Sequence, residues 1–133
     1  MTRAPDTQPP DRLIRAEYRC DLCGAQAGLA ELKIFSGYDE AALIVSGIIA
    51  QLTAWVAAEH QPHIANFLER GKASELFVWE HDAASFYCPT CDKVYCKAHW
   101  RTEMVFDDDP DLPGWYDCTY GTCPQGHRRM IDD

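Results

Sequence analysis

The stretch "DEAALIVSGIIAQLTAWVAAEH", Asp39 to His60, decides how the rest of the chain is read. Acidic residues open it, where a helix N-terminus favours negative charge, and the 18 residues from Ala41 to Ala58 carry no charge at all. Ile44, Ile48, Leu52 and Trp55 recur at helical spacing, while Ser46, Gly47, Ala50, Thr53 and Ala57 form a small-residue stripe. The spacing therefore predicts a helix packed on both sides, its small stripe suited to a second copy of the chain in a homodimer. No membrane span is expected, because no Lys or Arg flanks the run and Ser46, Gln51 and Thr53 interrupt it. Pro62 suits the first turn of a second helix through "HIANFLER", which Gly71 can end. The two together predict a helical hairpin over residues 38–72.

On either side the pattern changes to short strands and turns. "EYRCDLCGAQAGLAELKIFSG", Glu17 to Gly37, reads as a strand, a tight turn closed by Gly24, and a second strand around Leu29 to Phe35. "SELFVWEH" and "ASFYC" read as two strands leading into "FYCPTCDKVYCKAHW", and "TEMVF" as a strand before the acidic loop "DDDPDLPG". Residues 1–13, rich in Pro, Asp, Thr and Gln, read as a disordered tail, which leaves 14–133 as a single domain. At 133 residues and 47% hydrophobic content the chain supports one modest core.

The cysteines define the chemistry. No apolar stretch near the start could serve a secretory signal, so a cytoplasmic chain is expected, whose seven cysteines bind metal instead of forming disulfides. Cys20 with Cys23, Cys88 with Cys91, and Cys96 with His99 are close pairs; Cys123 and His127 bracket a Pro–Gly turn in "CPQGH", and Cys118 stands near it. A turn with a two-residue gap points two side chains at one ion, and two such turns complete a tetrahedron, so two structural zinc ions are expected. Four pairs combine in three ways. The interleaved scheme, with Cys20, Cys23, Cys96 and His99 at one ion and Cys88, Cys91, Cys123 and His127 at the other, is preferred to closure of the local four. Cys118 is left as a spare thiol or an alternative ligand. Thiolate-rich sites with every position filled are structural rather than catalytic. "CPTC" as a redox pair is the rival enzymatic reading, disfavoured by the neighbouring Cys96 and His99.

The formal charge is −9. Two sites of three thiolates, one imidazole and one zinc ion would move it to about −11, a sign that repels nucleic acid and anionic lipid and suits a neutral or basic protein partner.

The ligand pattern resembles the interleaved, cross-brace two-zinc fingers of the RING, FYVE and PHD group. "CPTCDKVYCKAH" has the ligand gaps of FYVE-like treble-clef fingers, without the basic motif by which those read phosphoinositides. Similarity to RING-type ubiquitin ligases, here of a prokaryotic kind, rests on Leu22 inside "CDLC", Pro124 after Cys123, and Arg128 after His127. It differs from the RING pattern in the 64 residues between Cys23 and Cys88, the two-cysteine second pair, the final gap ending in histidine, and the extra Cys118. The resemblance implies a small α+β zinc-stabilised domain with an inserted helical hairpin. Its implied function is an adaptor that recruits a conjugating enzyme and promotes transfer of a ubiquitin-like protein without a covalent intermediate. In that reading Leu22, Pro124 and Trp100 grip the conjugating enzyme and Arg128 is the catalytic residue, hydrogen-bonding both partners. The alternative is a non-enzymatic, zinc-stapled interaction module, dimeric through the helical insertion.

Overall fold

The computed structural model describes residues 3–49, 51–107, 111 and 114–132. Its largest element is a four-stranded antiparallel sheet in the order β1-β2-β3-β4, built from Arg12–Arg19, Gln26–Ile34, Glu40–Ser46 and Gln51–Ala57. Two helices follow, α1 at Gln61–Arg70 and α2 at Ala73–Trp79. A two-residue hairpin, β5 at Tyr87–Cys88 and β6 at Lys93–Val94, precedes a three-stranded antiparallel sheet of β7 (Arg101–Phe106), β8 (Tyr116–Thr122) and β9 (Arg128–Asp132). The architecture is therefore mostly antiparallel β, which corrects the expected α+β finger with an inserted helical hairpin.

The correction centres on the opening stretch. Glu40–Ser46 and Gln51–Ala57 pair as the β3–β4 hairpin, with Ala41 opposite Val56 and Val45 opposite Leu52, and among the described residues of this stretch no helix runs. The small-residue helix stripe proposed as a dimer contact is consequently not a surface of this fold. A fully buried strand and a buried helix are both continuous apolar runs, so periodicity alone does not separate them. Here β3 is covered on both faces. Leu43 and Val45 face the main core, while Ala42 joins Ala4 and Phe35 in a second cluster flanked by Tyr38 and Trp55. With both faces buried, the alternation that marks a half-exposed strand is lost. The β-branched residues Ile44, Val45, Thr53 and Val56 fit the pleat better than a helix.

"SELFVWEH" departs the other way, as α2 in place of a strand. Leu76 is its fully buried anchor, Val78 points outward, and Arg70 pairs with Glu75 across the α1–α2 corner. Helix α1 begins with Pro62 in its first turn and ends at Gly71, whose N–H reaches the carbonyls of Phe67 and Leu68. Ile64, Phe67 and Leu68 of α1 cover the inner sheet face of Ile14, Ala16, Leu32 and Leu43. Among the described residues, no helix is long and apolar enough to cross a membrane.

Phe86 joins the sheet to the metal-ligand region. It is fully buried, stacks on Tyr18 with ring centroids 5.0 Å apart, and lies over Gly28. Its carbonyl accepts from the Tyr95 N–H at 3.0 Å. The large sheet, the ligand-bearing turns and the small sheet thus share one core.

Candidate metal centres

Each ligand pair sits in a turn whose backbone hydrogen bonds fix two side chains toward one point. After β1, the Cys20 N–H donates to Ala25 O at 2.8 Å and Gly24 N–H to Cys20 O at 2.9 Å, with Gly24 at φ +76°. That left-handed backbone is open to glycine at little cost. Cys88 and Cys91 occupy the β5–β6 hairpin, where Asp92 adopts φ 54° and its carboxylate accepts from the Tyr87 hydroxyl at 2.6 Å. Cys96 O accepts from the N–H groups of His99 and Trp100, so one turn presents Cys96 and His99 together. In the last turn Cys123 N–H donates to His127 O, and Gly126 N–H to Cys123 O, each at 2.9 Å.

The fold brings these turns together in the interleaved arrangement. Cys20, Cys23, Cys96 and His99 form one set, Cys88, Cys91, Cys123 and His127 the other, and within each set the ligand atoms lie within 4.8 Å of one another. In the first set Cys23 Sγ is 3.7 Å from Cys96 Sγ, and His99 Nδ1 is 3.4 Å from Cys20 Sγ and 3.3 Å from Cys96 Sγ. In the second, Cys91 Sγ is 3.8 Å from Cys123 Sγ, and His127 Nδ1 is 3.7, 3.1 and 3.4 Å from the sulfurs of Cys88, Cys91 and Cys123. Both sets can hold a metal ion. Cys118 is buried but belongs to neither set.

The electrostatics prepare one thiol at each set. Burial opposes ionisation of Cys20, but the backbone N–H groups of Cys96, Cys23 and Leu22 and the His99 side chain outweigh it, lowering the thiol to about 6. At Cys123 burial is likewise outweighed, by the N–H groups of His127 and Gln125 and by Cys88 and Cys91, giving about 7. Cys88 moves the opposite way, pushed up to about 11 by burial and by the sulfurs of Cys91 and Cys123. A cation among the sulfurs would reverse that last effect. The sets also differ in access, because Cys23 is exposed whereas Cys91, the most accessible cysteine of the second set, is only half-buried.

The other residues singled out by sequence fall into two groups. Leu22, 55% exposed, and Pro124 project from the first and last ligand turns. Trp100, expected at a partner surface, is instead a core residue: it is 5% exposed, and its indole N–H donates to Tyr95 O at 2.9 Å and more weakly to Phe86 O. Arg128 lies 3.7 Å over the Tyr120 ring and pairs with Glu103.

Two positioning residues escaped the sequence reading. Asp21 ties the first ligand turn to the β5–β6 hairpin through both its backbone and its carboxylate. Arg129 donates to Tyr87 O at 2.7 Å, Ala84 O at 2.8 Å and His81 O at 3.1 Å, and lies over the Phe77 ring. Alternation along a strand would have turned Arg129 inward once Arg128 was outward, but only if β9 had been recognised.

Fold and site define a class: a mostly antiparallel β domain in which four turns cross-brace two Cys3His sets able to hold metal ions. Within it, the chain belongs to the family described as a domain of unknown function (DUF8328), whose model matches residues 11–133. No curated protein and no solved structure matches the chain.

Proposed function

We propose that the chain is a zinc-stapled protein-interaction module with two structural zinc ions. The observation that carries the metal assignment is the ligand spacing. Zinc–sulfur bonds of about 2.3 Å at the tetrahedral angle place sulfurs about 3.8 Å apart, with sulfur–nitrogen edges slightly shorter. The Cys23–Cys96 and Cys91–Cys123 sulfurs are 3.7 and 3.8 Å apart, and close sulfur–nitrogen contacts span 3.1 to 3.7 Å. Three thiolates and an imidazole are the soft, closed donor set that zinc takes in structural sites, with no position left for a reacting water. Elemental analysis of protein purified without added metal should find about two zinc ions per chain. A ratio near one would refute the paired scheme, and a ratio near zero the zinc assignment itself.

The interaction surface follows from what the ligand turns leave outside. Leu22 and Pro124 are apolar, exposed, and carried on rigid turns of opposite sets. Apolar side chains held outward at little entropic cost are the usual anchors of a protein contact. The chain's charge directs the choice of partner toward a neutral or basic polypeptide.

A RING-type adaptor is the second reading, favoured by the exposure of those same two residues. It predicts that the zinc-loaded chain speeds discharge of a thioester-linked ubiquitin-like protein from a conjugating enzyme that binds it, and that Leu22→Ala weakens this effect. Arg128→Ala should then slow discharge without loss of zinc. No acceleration with such an enzyme eliminates the adaptor and leaves the interaction module.

A further inference from the structure

Away from both ligand sets, the outer face of the large sheet carries a seat that the chain fills itself. Lys33 of β2 lies opposite Ala42 of β3, and Ala42 opposite Trp55 of β4, so the three stand in one row across the sheet. The smallest side chain holds the middle of that row, between two large ones, which leaves a depression. Ala4 covers it: Ala4, Phe35 and Ala42 are buried together in a cluster flanked by Tyr38 and Trp55 and separate from the main core. Arg3 pairs with Glu40, and its guanidinium carbon lies 5.1 Å from the centre of the Trp55 ring.

Residues 3–10 are held there by side chains rather than by strand pairing. None of them belongs to a strand, and the hydrogen bond from Gln8 N–H to Pro5 O at 2.9 Å stays within the segment. At Asp11 the backbone joins the sheet, its N–H donating to Ile34 O at 2.9 Å. A cavity of about 150 Å³ remains between Pro5, Asp6, Pro10 and the sheet beneath, so the segment covers the face without packing it solid. One buried methyl group, one half-exposed ion pair and one ring contact stand against the cost of ordering eight residues. The segment is therefore released far more easily than any strand of the sheet.

What the seat selects is specific. Glu40 and the Trp55 ring place a cation, Ala42 requires a small side chain above it, and the proline that follows stiffens the backbone before it docks. General negative charge does not account for this choice, since Lys33 lines the same cavity.

We propose that this outer face is a docking groove for an extended peptide with a cationic residue, a small residue and a proline in succession, and that Arg3, Ala4 and Pro5 occupy it in cis as a self-ligand. A partner presenting that pattern displaces the segment and takes the groove. The groove shares no residue with either ligand set or with the surface of Leu22 and Pro124, so it does not depend on the zinc assignment or on the contact argued there.

The test titrates the full, metal-loaded chain with a fluorescent peptide of residues 2–10 and reads anisotropy. Ala4→Glu puts a carboxylate into the apolar seat and should eject the segment, with metal content and the amide pattern outside the groove unchanged. That variant should bind the peptide about ten-fold more tightly than the wild-type chain, because a tethered segment competes at an effective concentration in the millimolar range. Arg3→Ala in the full chain alters only a half-exposed side chain, so it leaves the fold intact and should give an intermediate affinity. A peptide carrying Arg3→Ala, or a chain combining Ala4→Glu with Glu40→Gln, should lose about three-fold or more in binding. Failure of both opened chains to bind, or the same affinity in opened and wild-type chains, would overturn the proposal. So would a wild-type chain that sediments as a dimer and becomes monomeric with Ala4→Glu, since the groove would then hold the segment of a second copy.

Discussion

Asp21 and Val94 are joined twice: the Asp21 N–H donates to Val94 O at 2.8 Å, and the Val94 N–H donates to the Asp21 carboxylate at 2.7 Å. Asp21 lies within the Cys20–Cys23 turn of one ligand set, and Val94 is on β6 of the hairpin that carries Cys88 and Cys91 of the other. This reciprocal pair ties the Cys20–Cys23 turn to the β5–β6 hairpin. Asp21→Ala removes the carboxylate half and leaves the Val94 N–H without its acceptor, so it should cost about 1–3 kcal/mol. Denaturant unfolding measures that loss, and hydrogen exchange at Val94 should quicken while the metal count stays unchanged.

Neighbouring arginines should behave oppositely. Arg129→Ala strips donors from the carbonyls of Tyr87, Ala84 and His81 at once and opens the space over Phe77, so a loss of about 2–4 kcal/mol is expected. Arg128→Ala removes only an exposed pair with Glu103 and a stacking contact on Tyr120, worth about 0.5–1 kcal/mol. Equal losses in the two variants, measured by thermal unfolding of metal-loaded protein, would contradict these assignments.

Close approach of the sheet to Phe86 makes Gly28 sensitive. A Cβ there would lie 2.1 Å from the Phe86 ring, and that ring is pinned between Tyr18 and the core. Gly28→Ala should therefore destabilise by about 1–3 kcal/mol through overpacking. Gly47→Ala, whose Cβ would meet Ser85 Oγ at 2.3 Å, should also disturb the hydrogen bond from the Ile48 N–H to that oxygen. A helix over residues 41–58 would instead gain from alanine at 47, so the sign of the change distinguishes hairpin from helix.

Metal removal should be stepwise. Cys23 is exposed whereas every cysteine of the second set is at least half-buried, so a chelator should take the ion held by Cys20, Cys23, Cys96 and His99 first. Release followed with a chromogenic zinc indicator should show two phases, and Cys96→Ser should abolish the faster one. Cys118→Ser, outside both sets, should leave the metal stoichiometry unchanged. A single phase of full amplitude would show that the sets unfold together.

The ligand residues were legible in the sequence because metal-binding turns are local. Pairs such as Cys20–Cys23 and Cys123–His127 depend on a few residues of backbone, and Gly24 and Gly126 mark the left-handed positions those turns require. The first helix turn at Pro62 and its end at Gly71 were legible for the same reason. What sequence could not decide was everything set by partners distant along the chain. Glu40–Ser46 and Gln51–Ala57 became a hairpin because β2 supplies hydrogen bonds along one edge of β3 and both faces of β3 are buried, which erases the period by which a strand is known. Trp100 was drawn into the core by the carbonyls of Tyr95 and Phe86 and the opening over Gly121. Arg129, rather than Arg128, became a structural donor because the β8–β9 register places it opposite Gly121, where the carbonyls of His81, Ala84 and Tyr87 are within reach. Short-range chemistry is written in neighbouring residues, whereas burial and register are properties of surfaces that exist only after the chain has closed on itself.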